Sequence, residues 1–454
     1  MAGFMGVTGF LSMWISNTAT TALMVPIVQS VIAELVSNHR FEDLVALSEA
    51  HQLLNSNRKQ SVGMRRLSLP HENNEINRDE ISSVQSPKEQ KIAKGLMLSI
   101  CFSANIGGAA TITGTASNLV LIGQLNEIFP GADTGVNFLS WLIFAFPVVL
   151  LCLFYCWFVL YLLFLRGAPK GSQFVTRKLQ QKYNELNAFS YAEVSVVFCF
   201  LLLLLLWILR EPQIVPGWGE LFREEFVSDA TSAMFIVILL FTLPDKLPKL
   251  KGRQEQRKAS SGLLDWATVQ DRFPWSVLFL LGGGFALASG VKESGLSHDI
   301  GAIMRNLEVF NHNIIMLICI IICVTLTNVC SNTVIASIFI PIVAELARSL
   351  KIDPLNFMLP VTISASFAFL LPVATPPNAI VFSSGYLKVS DMFVSGLLVT
   401  IGCVILSMLN MIIWAGFVFN LHLFPQWAAN PSPPLDVEDW LEQNNITLAS
   451  TFQP

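Results

Sequence analysis

Ser331-Asn332-Thr333, followed after seven residues by Pro341-Ile342-Val343, decides the fold, because the chain carries the same pattern earlier as Ser16-Asn17-Thr18 and Pro26-Ile27-Val28. A hydroxyl stands four residues ahead of each copy, at Ser12 and Thr327, one helical turn before the triplet. Downstream, Gly114-Thr115-Ala116-Ser117-Asn118 answers to Ala374-Thr375-Pro376-Pro377-Asn378, and both are Thr-x-x-Asn in apolar surroundings. Ser16 and Thr115 lie 99 residues apart, Ser331 and Thr375 only 44; the excess of 55 matches a polar insertion over 36–95. One triplet alone would be chance. A matched pair with matched partners indicates duplication. Small polar residues also join helices in lipid, which accounts for scattered Ser and Thr but not for a cluster that returns.

The chain around these motifs belongs in a membrane. Of its 454 residues, 53% are hydrophobic and 13% charged, about half the charged share of a soluble domain. Mean hydropathy is +0.57, with 33 Phe and 10 Trp. These figures exclude a set of soluble domains, intrinsic disorder, collagen and coiled coil. A net charge of −4 gives no reason to expect a nucleic-acid partner. The eight cysteines fall in apolar runs and read as packing residues, and the six histidines show no ligand spacing. The apolar start lacks a basic leader and a clear cleavage site, so it reads as part of the mature fold.

A crossing needs about 20 apolar residues. Clear candidates are 138–165, 191–209, 275–291, 357–382 and 393–418, with a shorter one at 230–244. Lys and Arg number nine in 36–95, five in 166–190 and seven in 245–274. There are none in 126–137, two against five acids in 210–229, and none after Lys388. The positive-inside rule therefore places the loop 36–95, the interfacial segment 166–190 and the stretch 245–274 in the cytoplasm. The tail 419–454, with the sequon Asn445-Ile446-Thr447, falls outside. Arg65-Arg66-Leu67-Ser68 reads first as a solvated basic patch, and 170–189 as an amphipathic interfacial helix.

A polar triplet midway along a long apolar stretch predicts a re-entrant hairpin. Residues 1–35 would enter from the cytoplasm and 313–347 from outside. In 96–165 a broken helix precedes a plain span, and 348–418 repeats that plan, while 191–312 holds scaffold spans. Irregular backbone at membrane depth is tolerated where it is buried or lines a cavity. Half-helix N-termini there suit anions, and unwound carbonyls with Asn or Ser oxygens suit a hard cation such as sodium. No ionisable residue lies well inside a span, which argues against a proton relay and leaves neutral groups plus bound cations to hold an anion. Gly282-Gly283-Gly284 lacks the Lys-Ser/Thr of a phosphate loop and reads as close helix packing or a cavity wall. No zinc motif or paired intramembrane aspartate suggests an enzyme.

From about residue 1 to 430 the chain resembles the divalent anion:sodium symporters, specifically the animal sodium-coupled dicarboxylate, citrate and sulfate transporters. The resemblance rests on both Ser-Asn-Thr triplets, the run Ser364–Phe369, and Leu371 to Phe382 around Ala374-Thr375-Pro376-Pro377-Asn378. It implies an all-α polytopic membrane protein, an inverted-repeat secondary transporter of elevator type with two re-entrant hairpins and two broken helices. It further implies a homodimer in the plasma membrane. One sodium site would involve Ser12, Ser16, Asn17 and the carbonyl of Gly114; the other Thr327, the backbone of Cys330, Asn332 and the carbonyl of Ala374. Substrate carboxylates would meet Asn17, Thr18 and Thr115 on one side, and Asn332, Thr333 and Thr375 on the other. Sodium is the only ion and no organic cofactor is implied.

Ala374-Thr375-Pro376-Pro377-Asn378 is similar to the carboxylate transporters of that family, and the resemblance implies dicarboxylates such as succinate, with citrate next and sulfate the runner-up. Three spans precede Ser331 in its repeat but only 15 residues precede Ser16, so the first repeat is expected to be truncated. A truncated, non-transporting subunit that modulates a full-length relative is the competing class of function.

Overall fold

The computed structural model describes residues 1–33, 87–166, 189–210, 216–222, 227–246, 262–273, 310–421 and 423–429, with isolated positions between 180 and 294. The sequon at Asn445, the Arg65–Ser68 patch, most of 170–189 and most of the span expected at 275–291 lie outside the described residues. Apart from one isolated bridge between Pro244 and Gly262, the described secondary structure is helical.

The first helix, α1 (Ala2–Ser12), buries Met5, Thr8, Gly9 and Ser12, a stripe one helical face wide. Residues 13–16 break it, and α2 (Asn17–Ala33) follows. Next comes α3 (Pro87–Gly108), with Pro87 at its first position and Glu89 in its first turn. The helix therefore starts before residue 96, inside the segment read as the end of the polar loop. Its partner across an unwound stretch is α4 (Ala116–Ile128). A span of 28 residues, Phe138–Leu165, begins as α5 (Phe138–Leu160), where Asn137 and Ser140 close a reciprocal capping box.

Two helices of the middle section follow, α6 (Tyr191–Arg210) and α7 (Asp229–Thr242), packed on each other, and a short α8 (Trp266–Arg272). The face of α6 with Val194, Phe198, Leu201 and Leu205 is exposed and apolar, as lipid contact requires. A Cβ on Gly282 or Gly283 would meet no atom within 4 Å, which speaks against close packing at these two glycines and leaves the cavity wall, the other expectation.

The pattern of the first half then returns: α9 (His312–Thr327), a break, α10 (Asn332–Ser349), α11 (Leu355–Ser364), an unwound stretch, α12 (Pro376–Ser383) and α13 (Val389–Asn410). The last of these runs on to Phe419 as a continuous apolar span. Packing repeats as well. Just as α3 touches α1, α5 and α12, so α11 touches α9, α13 and α4. Each broken helix thus crosses the second piece of the other. Close approach is made by small residues: a Cβ on Gly107 of α3 would collide with the backbone of Gly9 in α1. Phe102, Trp141, Phe144, Phe357, Phe367 and Phe369 fill the core between the helices.

Candidate functional site

The two triplets sit at the breaks. Ser12 Oγ stands 2.6 Å from Asn17 Oδ1 and 2.8 Å from the Ala104 carbonyl. Thr327 Oγ1 stands 2.7 Å from Asn332 Oδ1 and 2.8 Å from the Ala365 carbonyl. The same three-oxygen cluster is therefore built twice, each from a hydroxyl, an asparagine five residues later and the carbonyl of a helix about to unwind. A hydroxyl has one hydrogen. Three oxygens around that single hydrogen leave unshared electron density in buried surroundings, which is the donor set a hard cation takes.

Close packing extends the first cluster. A Cβ on Gly108 would collide with Asn17 Oδ1, and one on Gly114 would collide with the Gly108 carbonyl, so Asn17, Gly108 and Gly114 are stacked. The expected ligands Ser12, Asn17 and Gly114 are thereby gathered in one place. Ser16 is exposed, and its hydroxyl accepts the Ala19 N–H at 3.3 Å, which caps α2. In the second cluster Thr327 and Asn332 are joined directly. Cys330 is exposed, unlike the seven buried cysteines, and this corrects the reading of all eight as packing residues. Its N–H donates to the Leu326 carbonyl at 2.9 Å. No side-chain hydrogen bond among the described residues links Ala374, Thr18 or Thr333 to either cluster.

The unwound stretches are held by the asparagines of Thr-x-x-Asn. Asn118 Nδ2 donates to the carbonyls of Thr111 at 2.8 Å and Ala109 at 3.3 Å; Asn378 Nδ2 donates to Ala368 at 2.8 Å and Leu371 at 3.0 Å. Each asparagine supplies donors to carbonyls that lost their helical partners at the break. The breaks are also tied to the triplets, Thr111 Oγ1 donating to the Met13 carbonyl, and Leu370 N–H to Asn328 Oδ1 at 2.9 Å.

All the residues expected to meet substrate stand at helix starts. Asn17 and Thr18 open α2, Asn332 and Thr333 open α10, while Thr115 and Thr375 are the N-caps of α4 and α12. Four positive dipole ends, with the side chains that open those helices, are what an anion without a charged partner needs. At α12 the first two residues are prolines and the Asn378 N–H is taken by Thr375 Oγ1, so the dipole and the Thr375 side chain are what that start offers. Thr115 and Thr375 differ in one respect: Thr375 Oγ1 accepts from the Asn378 N–H at 3.4 Å, whereas Thr115 makes no such cap.

The sequence reading passed over Asn105, which donates from Nδ2 to Thr375 Oγ1 at 3.2 Å and to Asn378 Oδ1 at 3.3 Å. The signal was present, since Ser103-Ala104-Asn105 and Ser364-Ala365-Ser366 occupy like places and the middle carbonyl of each receives the hydroxyl of Ser12 or Thr327.

Helix breaks with neutral oxygen clusters, in a helical membrane protein, define a secondary transporter rather than an enzyme. Residues 1–421 match the family described as the sodium:sulfate symporter transmembrane region, and the chain belongs to that family. Among its relatives, the sodium-dependent low-affinity dicarboxylate transporter 1 of Caenorhabditis elegans is 85% identical over 451 residues, covering 99% of this chain and 77% of the relative. The sodium-dependent high-affinity dicarboxylate transporter 3 of the same organism is 46% identical over 94% of this chain and 70% of its own length. The Na(+)/citrate cotransporter of Rattus norvegicus is 40% identical, over 94% and 77% respectively.

Proposed function

We propose that the chain is a sodium-coupled symporter of dicarboxylates such as succinate, with citrate as a second substrate. The twice-built cluster of hydroxyl, asparagine and carbonyl supports this most directly. Each cluster would take one sodium ion, with the Gly114 and Ala374 carbonyls and the Cys330 backbone completing the shells, and the bound charge would draw the substrate carboxylates. Those carboxylates would accept from the helix starts at Asn17, Thr18 and Thr115, and at Asn332, Thr333 and Thr375. An anion site of neutral donors is strong only while the cations are bound, which couples the two cargoes without a titrating residue.

The repeated contacts of α3 and α11 support an inverted repeat, with the two breaks acting as re-entrant hairpins that enter from opposite sides. In this reading the transport core moves as an elevator in a plasma-membrane homodimer, with 36–95 cytoplasmic and a tail glycosylated at Asn445 outside. The names of the relatives favour dicarboxylate over sulfate.

The test is uptake of labelled succinate by cells expressing the chain, with and without sodium. Uptake should require sodium, resist excess sulfate, and fall by about tenfold or more in Asn17→Ala and Asn332→Ala, each of which removes a charge-assisted contact. Sodium-independent uptake, or full competition by sulfate, would overturn the reading.

A further inference from the structure

Asn105 is buried in α3, and its amide crosses to the other half of the molecule. Its orientation follows from its neighbours. Asn378 Nδ2 is committed to the Ala368 and Leu371 carbonyls, so Asn378 turns its oxygen towards Asn105, and Asn105 must present N–H to it. The same amide nitrogen reaches Thr375 Oγ1 at 3.2 Å, and that oxygen also receives the backbone N–H of Asn378 at 3.4 Å. A hydroxyl oxygen has two lone pairs and one hydrogen. With both lone pairs taken, Thr375 has only its hydrogen left to offer.

The other half lacks this arrangement. At the place of Asn105 stands Ser366, whose side chain is one bond shorter. Ser366 Oγ and Asn118 Oδ1 are both buried without a hydrogen-bond partner among the described residues. Among the described residues the Thr115 hydroxyl has Ser117 Oγ as its hydrogen-bond neighbour, at 3.4 Å, where either oxygen is able to donate. Thr115 is therefore free to donate or to accept.

We infer that Asn105 is a positioning residue that fixes the Thr375 hydroxyl as an obligate donor, so that this half-site selects an ionised carboxylate while the Thr115 half-site tolerates other groups. A carboxylate only accepts, and a hydroxyl already turned towards it loses no freedom on binding. A donor hydrogen aimed at Thr375 finds no acceptor there, whereas at Thr115 the hydroxyl is able to accept it. The inference rests on the proposed substrate site and adds an asymmetry that the repeat alone does not predict.

The test uses the purified full chain in detergent with saturating sodium, reading the succinate concentration that gives half of the ligand-induced thermal stabilisation. Asn105→Leu keeps the shape and removes the amide; Asn105→Ser copies the other half and serves if the first fails to fold. Either should raise the half-saturating concentration by about tenfold, one hydrogen bond's worth. Thr375→Val should do the same. Because Asn105 acts through Thr375, the double variant Asn105→Leu/Thr375→Val should be no weaker than the weaker single variant. Multiplying effects would show a merely structural Asn105 and overturn the inference, as would an unchanged half-saturation in the Asn105 variants. A wild-type chain with no sodium-dependent response to succinate would overturn the reading of the site together with the inference.

Discussion

At Ser12 and Thr327 one hydroxyl hydrogen faces two oxygen acceptors, so it serves only one acceptor in each cluster at a time. In the proposed function a sodium ion would satisfy the acceptor that the hydroxyl does not. Thr327→Val, which keeps the volume and removes the oxygen, should raise the sodium concentration for half-maximal uptake by about tenfold, while Thr327→Ser should leave it near the wild-type value. Sodium titration of succinate uptake checks this, and equal shifts in both variants would exclude a role for the hydroxyl. Glycine supplies a second test. Gly108→Ala drives a methyl group into Asn17 Oδ1 and should abolish uptake, whereas Gly6→Ala, with nothing within 4 Å of its Cβ, should transport normally. At this scale the sequence was informative where residue types repeat. The triplets, Ser12 and Thr327, and the Thr-x-x-Asn threonines all declare themselves. Asn105 did not, because its partner position holds Ser366 and the pairing shows only once Ala104 and Ala365 are seen to do the same work.

The helix breaks depend on two asparagines that each replace lost helical donors, at Asn118 and Asn378. Leucine at Asn378 would remove the side-chain donor to the Ala368 carbonyl, and leucine at Asn118 would leave the Thr111 carbonyl with the longer Gly114 N–H contact at 3.3 Å. The cost is about 1–3 kcal/mol for a buried group left without its donor. Asn378→Leu should lower the unfolding temperature of the purified chain, and Asn118→Leu should do likewise; unchanged melting would show that water serves equally well. Between α10 and α11, Asp353 is buried, and its Oδ1 accepts the Leu355 N–H at 2.9 Å. It borders a cavity of about 320 Å³ that His312 and Lys351 also line. Burial pushes its carboxyl up to about 6, against the opposing pull of the Leu355 hydrogen bond. The folded state therefore holds the proton more tightly than the unfolded chain, so stability is greater below the ordinary carboxylate range and declines as pH rises towards 6. Asp353→Asn should abolish that decline and raise the melting temperature at pH 7.5; a melting curve with the same pH slope would contradict this. The breaks were legible in the sequence because polar clusters interrupt apolar runs. The start of α3 at Pro87 was not, since Lys, Glu and Gln serve a helix and a polar loop equally well.

Over the whole molecule, the described helices pair in a pattern that occurs twice, and the exposed faces of α6 and α13 are apolar along their length. Such faces are stable only against lipid, and the buried polar groups are stable only where partners meet them, so the membrane and the site follow from one distribution of residues. Hydropathy and charge counts made the membrane class readable from composition alone. The proposed inversion rests on loop charges, which point to a side but not to a path. Cysteines placed singly at Ser331 and Ser16 in a chain with Cys330 replaced should react with impermeant thiol reagents from opposite faces of the membrane; labelling of both from one face would contradict an inverted repeat. The claim on which the rest depends is coupling. In proteoliposomes containing only the purified chain, an inward sodium gradient should accumulate labelled succinate above its external concentration, and collapsing that gradient should release it. Equilibration without accumulation, at the same rate in potassium as in sodium, would contradict the account.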